Sequence, residues 1–104
     1  MTVSFGPQLS VTNMRRSVRY PVDYPMLGEH RQLGDVHLRI LNISQQGFMA
    51  EGEHGLACGE RIIICLPVIG RIEAHLAWVH GGRAGFQFER IIRRHDLTEL
   101  IDKL

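Results

Sequence analysis

The sequence has few cysteines, no long apolar run and almost no net charge, and each of these shortages excludes a class of protein. Two cysteines are too few for a disulfide scaffold, and no apolar run approaches the roughly 18 residues that cross a bilayer. Lys and Arg number 12 against 11 Asp and Glu, and the net charge of +1 argues against binding to DNA, RNA or a membrane surface. The N-terminus lacks the basic and apolar regions of a signal peptide, so we expect a cytoplasmic protein without membrane insertion.

Lysine is nearly missing too. Lys103 is the only one, so almost all of the positive charge is carried by arginine. The planar guanidinium binds phosphate or guanine through two parallel hydrogen bonds, whereas the lysine ammonium offers only a point charge. Arg15, Arg16 and Arg19 form a compact cluster in the sequence RRSVR. Taken alone, this cluster is more typical of a solvated basic surface.

The hydrophobic pattern predicts an all-β fold. A chain of 104 residues is long enough for one domain with its own apolar core. Short apolar or alternating segments, separated by Gly and Pro, predict about six strands, with a turn over 28–34 after the first. The predicted strands are 22–27, 35–43, 48–50, 61–68, 71–80 and 84–89. We therefore expect a small antiparallel β-barrel in a domain over 14–104, after a flexible leader over 1–13.

The end of the chain has a different period, which predicts a C-terminal α-helix over about 94–104. Apolar residues recur there with helical spacing, at Leu97, Leu100, Ile101 and Leu104. Asp96 is followed three residues later by Glu99, the spacing of a capping box with Asp96 in the capping position.

The same patterns predict which side chains form the core. Trp78, Phe86 and Phe88 fall on the apolar faces of two predicted strands joined by Gly81-Gly82, so we expect all three in the core. Cys65 lies within the apolar run 61–68 and is interpreted as a small buried hydrophobic residue.

A second short motif follows the second predicted strand. Asn42, Ser44 and Gly47 form the pattern N-x-S-x-x-G. An Asn-x-Ser sequence is by itself typical of an ordinary turn, because both side chains bond the nearby backbone.

Together and in this order, the two motifs resemble the PilZ domain family. Its members carry R-x-x-x-R just before the first strand and D/N-x-S-x-x-G after the second. The segments RYPVDYPM and AHLAWVHGGRAGFQF are also similar to the family's first strand and closing hairpin. The resemblance extends over about 15–89 and implies a PilZ-like split barrel of six strands that binds the bacterial second messenger cyclic di-GMP, often as a stacked pair of molecules.

The resemblance also implies roles for the arginine segment. Arg15 and Arg19 are expected to contact guanine edges and phosphates, and Arg16 to add a phosphate contact or to stack on a base. Binding is expected to order this segment on the barrel and so present a new surface to a protein partner. The family implies an adaptor rather than an enzyme, with cyclic di-GMP as ligand and no cofactor.

The second motif is expected to complete the ligand site. Asn42 stands where family members have Asp or Asn, and its carbonyl oxygen is expected to accept from guanine N1 or N2. Ser44 is expected to donate to phosphate or base. Gly47 is expected to have a positive φ that lets the chain turn close to the ligand.

Several alternatives are weaker. A degenerate PilZ domain would act only as a nucleotide-independent interaction module, but such members usually lose one of the motifs that this chain retains. His54 and Cys58 are the closest approach to metal-ligand spacing, without a C-x-x-C pair. Ser44 lacks the G-x-S-x-G setting of a hydrolase. An RNA-binding barrel would require exposed aromatic residues and a larger positive charge.

Overall fold

The computed structural model describes residues 18–104, so the predicted leader over 1–13 and the side chains of Arg15 and Arg16 lie outside the described residues. The described part of the chain consists of six strands followed by one helix. These are β1 (Tyr20–His30), β2 (Gly34–Ile43), β3 (Gly47–Glu51), β4 (Arg61–Leu66), β5 (Gly70–His80), β6 (Arg83–Phe88) and α1 (Arg94–Lys103).

The strands form a closed barrel in the order β1-β2-β3-β6-β5-β4, and all neighbouring pairs are antiparallel. The barrel closes between β1 and β4, where Glu29 pairs with Ile63. The predicted fold class, a six-stranded antiparallel barrel with a C-terminal helix, is therefore confirmed. Closure pairs the strand edges that would otherwise be exposed to other chains.

The predicted turn over 28–34 is too long, because β1 continues to His30 and the turn takes only three residues. Nδ1 of His30 accepts hydrogen bonds from the backbone N–H groups of Gln32 and Leu33, both at 3.1 Å, and this holds the turn. The other strand ends differ from prediction by smaller amounts; β4, for example, ends at Leu66 instead of residue 68.

The core fills the barrel with the inward side chains of every strand. Val36, Leu38 and Ile40 are buried on β2, as their alternation predicts. Phe86 is also buried, and its ring stacks on that of Phe48 with centroids 4.9 Å apart. The buried apolar residues are Met26, Val36, Leu38, Ile40, Ile43, Phe48, Ala50, Leu56, Ile62, Ile64, Leu66, Ile72, Ala74, Leu76, Ala84, Phe86, Phe88, Ile92, Leu97 and Leu100.

The prediction that Cys65 is buried is wrong, since the side chain is exposed. On β4 it is Ile62, Ile64 and Leu66 that point into the barrel, so the residues between them point outward. An apolar run therefore marks a strand here without showing that both of its faces are covered.

The helix was predicted correctly, but its cap was not. α1 begins at Arg94, after an extended Arg93 with φ −64° and ψ 145° and no side-chain capping bond. Asp96 lies within the first turn instead of capping it. Its carboxylate is 3.8 Å from the Arg93 guanidinium and lies at the positive end of the helix dipole. Within residues 18–104, no helix is long and apolar enough to span a bilayer.

Candidate functional site

A β-bulge in β2 directs the Asn42 side chain onto the outer surface of the barrel. Ile40 pairs with Ala50 and Asn42 pairs with Met49, so Leu41 is an extra residue without a partner. The alternation of β2 is reversed after this bulge, and Ile43 points into the core. Without the bulge, Asn42 would share the inward face of Ile40.

A second bulge, in β5, likewise directs the Trp78 side chain onto the outer surface of the barrel. Leu76 pairs with Phe86 and Trp78 pairs with Gly85, which leaves Ala77 as the extra residue. The prediction that Trp78 belongs to the core is therefore wrong: its side chain is on the outer face and 41% exposed. The regular alternation of β5 predicts an inward tryptophan, and the extra residue reverses it.

The two bulges place a row of cross-strand neighbours on one outer face. Asn42 of β2, Met49 of β3, Gly85 of β6 and Trp78 of β5 are consecutive partners, and we call these four residues the platform. The indole of Trp78 lies directly over Gly85, since a Cβ at Gly85 would collide with the indole ring and come within 2.7 Å of its Cδ1. The glycine thus leaves space for an aromatic ring to lie flat on the sheet, a known pairing in β-structure.

Arg19 joins this face from the start of the chain that the structure describes. Its Nη1 donates a hydrogen bond of 3.0 Å to Oδ1 of Asn42, although the two residues are 23 positions apart. Arg19 is exposed and makes no ion pair with any carboxylate of residues 18–104. The bond brings the two sequence motifs together and leaves most of the guanidinium donors available to an anion.

Ser44 builds the turn between β2 and β3. Its side chain is 1% exposed, and its Oγ accepts from the N–H groups of Gln46 at 3.2 Å and Gly47 at 3.3 Å. Oγ also donates to the Gly47 carbonyl at 3.3 Å, which the Ser44 N–H reaches at 2.8 Å. Because the hydroxyl is already satisfied, this geometry favours a role for Ser44 in shaping the site instead of touching a ligand.

The expectation that Gly47 has a positive φ is wrong, although glycine is required at this position. Gly47 is not among the described glycines with a positive φ. Instead, a Cβ at Gly47 would collide with the carbonyl oxygen of Phe86 and lie 3.0 Å from Cα of Gln87. Glycine is needed because β3 and β6 approach each other closely where the turn ends and β3 begins.

Sequence comparison identifies the family of this chain. The sequence model of the PilZ domain matches residues 13–104, which is nearly the whole chain. The chain belongs to the PilZ domain family. A search of curated proteins gives no match. PilZ domains are generally adaptors that bind cyclic di-GMP, and they are typically non-catalytic.

The surface of this PilZ domain around the motifs is shallow. Arg19, Gly47, Trp78, Gly85 and Gln87 line a cleft of about 50 Å³ together with neighbouring backbone. Enclosed small-molecule pockets usually measure about 300–1,000 Å³, so a nucleotide would lie across this cleft instead of entering it. Larger hollows elsewhere, such as one of about 640 Å³ beside His30, contain none of the motif residues.

Sequence reasoning found Arg19 and Asn42 but missed Met49, Gly85 and Trp78 as members of the same face. One signal was available, because the tryptophan of one strand and the glycine of the next are adjacent across the predicted hairpin. No metal site competes with this assignment in the part of the chain that the structure describes, which contains no cluster of three or more His, Cys, Asp or Glu side chains able to hold an ion.

Proposed function

We propose that this PilZ domain binds cyclic di-GMP across the platform and the Arg19 guanidinium. The supporting observation is the Arg19–Asn42 hydrogen bond, which brings a cation and an amide together beside an exposed tryptophan. These groups match a ligand that contains two guanines and two phosphates.

Each polar group of the site has a complementary atom on the ligand. Guanine presents O6 and N7 as adjacent acceptors, which the Arg19 fork contacts through two parallel hydrogen bonds. A carbonyl oxygen has two lone pairs, and Oδ1 of Asn42 uses one for Arg19, so the second accepts from guanine N1 or N2. Arg15 and Arg16 supply further donors to the phosphates. Ser44 and Gly47 support these contacts by fixing the turn that carries Asn42.

Ligand binding then fixes the position of the arginine segment, residues 15–19, on the barrel. A dianionic ligand that contacts Arg15, Arg16 and Arg19 on one side and Asn42 on the other holds the segment against the barrel. The resulting surface is the signal to a protein partner, and no chemical step is required. The proposed function is that of a bacterial protein in the cytoplasm, the compartment in which cyclic di-GMP is found.

Isothermal titration calorimetry with cyclic di-GMP tests the proposal directly. We expect binding at micromolar affinity or tighter, about −8 kcal/mol, with a stoichiometry that shows whether one or two molecules bind. GTP and cyclic di-AMP are the controls, because the first lacks the ring closed by two phosphodiester linkages and the second lacks guanine O6. A folded sample that gives no heat with cyclic di-GMP contradicts the proposal and leaves an interaction module that works without nucleotide.

The exposed indole gives a second expectation. Trp78→Ala should weaken cyclic di-GMP binding about tenfold, because stacking of a base on an aromatic ring is worth about 1–3 kcal/mol. The melting temperature should fall by only a few degrees, since the indole lies on the surface instead of filling the core. Calorimetry and thermal melting measure the two effects separately.

Trp78→Phe is the matched control, since it retains a flat ring over Gly85 and should recover most of the affinity. Trp78 is also the only tryptophan of the chain, so ligand stacking should change the intrinsic fluorescence of the wild type. Wild-type affinity in Trp78→Ala would show that the ligand does not reach the platform.

A further inference from the structure

A second hollow lies at the junction of the β1 start, the turn between β2 and β3, and the helix. It is lined by Val18, Tyr20, Gln45, Arg94 and Leu97 and has a volume of about 320 Å³. Val18 and Tyr20 face this hollow, whereas Arg19 between them lines the cleft next to Trp78. Successive side chains of the segment 18–20 therefore lie on two different surfaces. We call the second surface the helix hollow.

Hydrogen bonds connect the wall of the helix hollow to the turn between β2 and β3 in the ligand site. Nε2 of Gln45 donates to the Ile92 carbonyl at 2.8 Å, and the Ile92 N–H donates to the Gln45 carbonyl at 2.8 Å. The next residue of the turn, Gln46, accepts from the Phe88 N–H at 2.8 Å. These bonds fix the connection before α1 to the turn that presents Asn42 and Ser44.

The one charged residue that lines the helix hollow, Arg94, has no carboxylate partner among residues 18–104. Among residues 18–104, neither Arg90 nor Arg94 makes an ion pair, and Arg93 reaches only Asp96 at 3.8 Å. None of the five lining residues is acidic. Residues 1–17 contain no Asp or Glu, so no carboxylate of that stretch neutralises these arginines.

Apolar surface accompanies this charge. Val18 is 61% exposed, and Ile91, between Arg90 and the helix, is 65% exposed. Tyr20 and Arg94 are of the residue types that contribute most of the binding energy at protein interfaces. At such interfaces a side chain of one protein fills a pocket of the other, and the surrounding contacts exclude water.

We propose that the helix hollow docks an acidic segment of a protein partner. A carboxylate of the partner pairs with Arg94, and a neighbouring apolar side chain packs between Val18, Tyr20 and Leu97. This inference rests on the proposed function, because one wall of the hollow is the segment that cyclic di-GMP holds in place through Arg19. Ligand binding would thus hold Val18 and Arg19 in the arrangement in which the segment and α1 already line the hollow.

A second copy of the chain fits this surface poorly. In a two-fold symmetric dimer the same patch meets itself, so the Arg94 of each copy would lie in the shared interface. Like charges brought together destabilise an interface, which favours a partner of opposite charge.

The test uses the full chain saturated with cyclic di-GMP and a library of random short peptides displayed on phage. The enriched peptides are synthesised and their binding measured by fluorescence anisotropy, with and without cyclic di-GMP. We expect them to carry Asp or Glu next to an apolar residue. We also expect binding at least about tenfold tighter with the ligand than without it, the effect of holding one wall of an interface pocket in place.

Three variants locate the docking surface. Arg94→Glu and Val18→Asp should each weaken the acidic peptides at least about tenfold, an effect typical of interface anchors. Arg31→Glu, at the opposite end of β1, should have no effect. A glutamate in the first turn of α1 favours the helix, so Arg94→Glu should remain folded, and its affinity for cyclic di-GMP should match wild type.

The outcomes separate this inference from the function on which it rests. Absence of cyclic di-GMP binding by wild type contradicts the proposed function in calorimetry, before any peptide is used. The docking surface is contradicted if the enriched peptides lack carboxylates, if Arg94→Glu binds them as wild type does, or if the ligand makes no difference. A dimer that dissociates in Arg94→Glu during sedimentation would assign the surface to a second copy and also overturn it.

Discussion

Arg19→Ala should lose roughly 10- to 100-fold in affinity for cyclic di-GMP while it melts at the wild-type temperature. Hydrogen bonds to a charged group are worth about 1.5–3 kcal/mol, and the truncation removes the guanidinium that reaches both the ligand and Asn42. Stability should be unchanged because the side chain is exposed and makes no ion pair with residues 18–104. Calorimetry gives the affinity, and circular dichroism gives the melting temperature.

Arg31→Ala is the matched control, because it removes an exposed arginine from the turn at the other end of β1, roughly 40 Å away along the strand. It should bind as wild type does. Arg19→Lys adds a further distinction: it retains the charge but loses the fork, so it should bind more weakly than wild type if guanine is contacted. Unfolding of Arg19→Ala, or equal losses in both alanine variants, would show that the segment is placed incorrectly.

Gly47→Ala should lower the free energy of unfolding by roughly 3 kcal/mol, the upper end of the cost of overpacking. The new Cβ would collide with the backbone of Phe86, and a backbone cannot move aside as the end of a side chain can. The pairing of Gly47 with Gln87 would be disturbed, and with it the turn that Ser44 closes. Thermal melting should show a decrease of about 15 °C for a domain of this size.

Gly28→Ala is the control for this effect. Gly28 is also a strand glycine without a positive φ, but its Cβ would meet chiefly the terminal Cδ1 of Ile62, at 2.8 Å. A side-chain end can shift, so the cost should be clearly smaller than at Gly47. Equal melting of the two variants would show that the close approach of β3 and β6 is not what requires glycine at position 47.

Much of the barrel follows from local patterns in the chain. The alternation of Val36, Leu38 and Ile40 predicts one buried face of β2, and Gly81-Gly82 predicts the hairpin between β5 and β6. Both signals are local, because side-chain alternation and turn conformation depend on adjacent residues. Cys65 shows the limit of such patterns, since its apolar neighbours predict burial on both faces and the barrel covers only one.

The candidate site likewise depends partly on the sequence and partly on the tertiary structure. The motif residues Arg19 and Asn42 were identified in the sequence, but their hydrogen bond joins positions 23 apart and exists only in the folded barrel. The structure also adds contacts of Ser44 and Gly47 that the sequence leaves open. A serine in a turn gives no indication of how many bonds its hydroxyl makes, and a glycine gives no indication of which strand approaches it.

By itself, the sequence determined the number of strands, the position of the helix, most of the core and the two motifs of a PilZ domain. Only the tertiary structure decided which way Asn42 and Trp78 point, since each follows a bulge whose extra residue, Leu41 or Ala77, is defined by pairing with another strand. One unpaired residue reverses every later side chain of a strand. Local periodicity therefore predicts where a strand runs, whereas the surface on which it presents a side chain depends on its neighbours in the sheet.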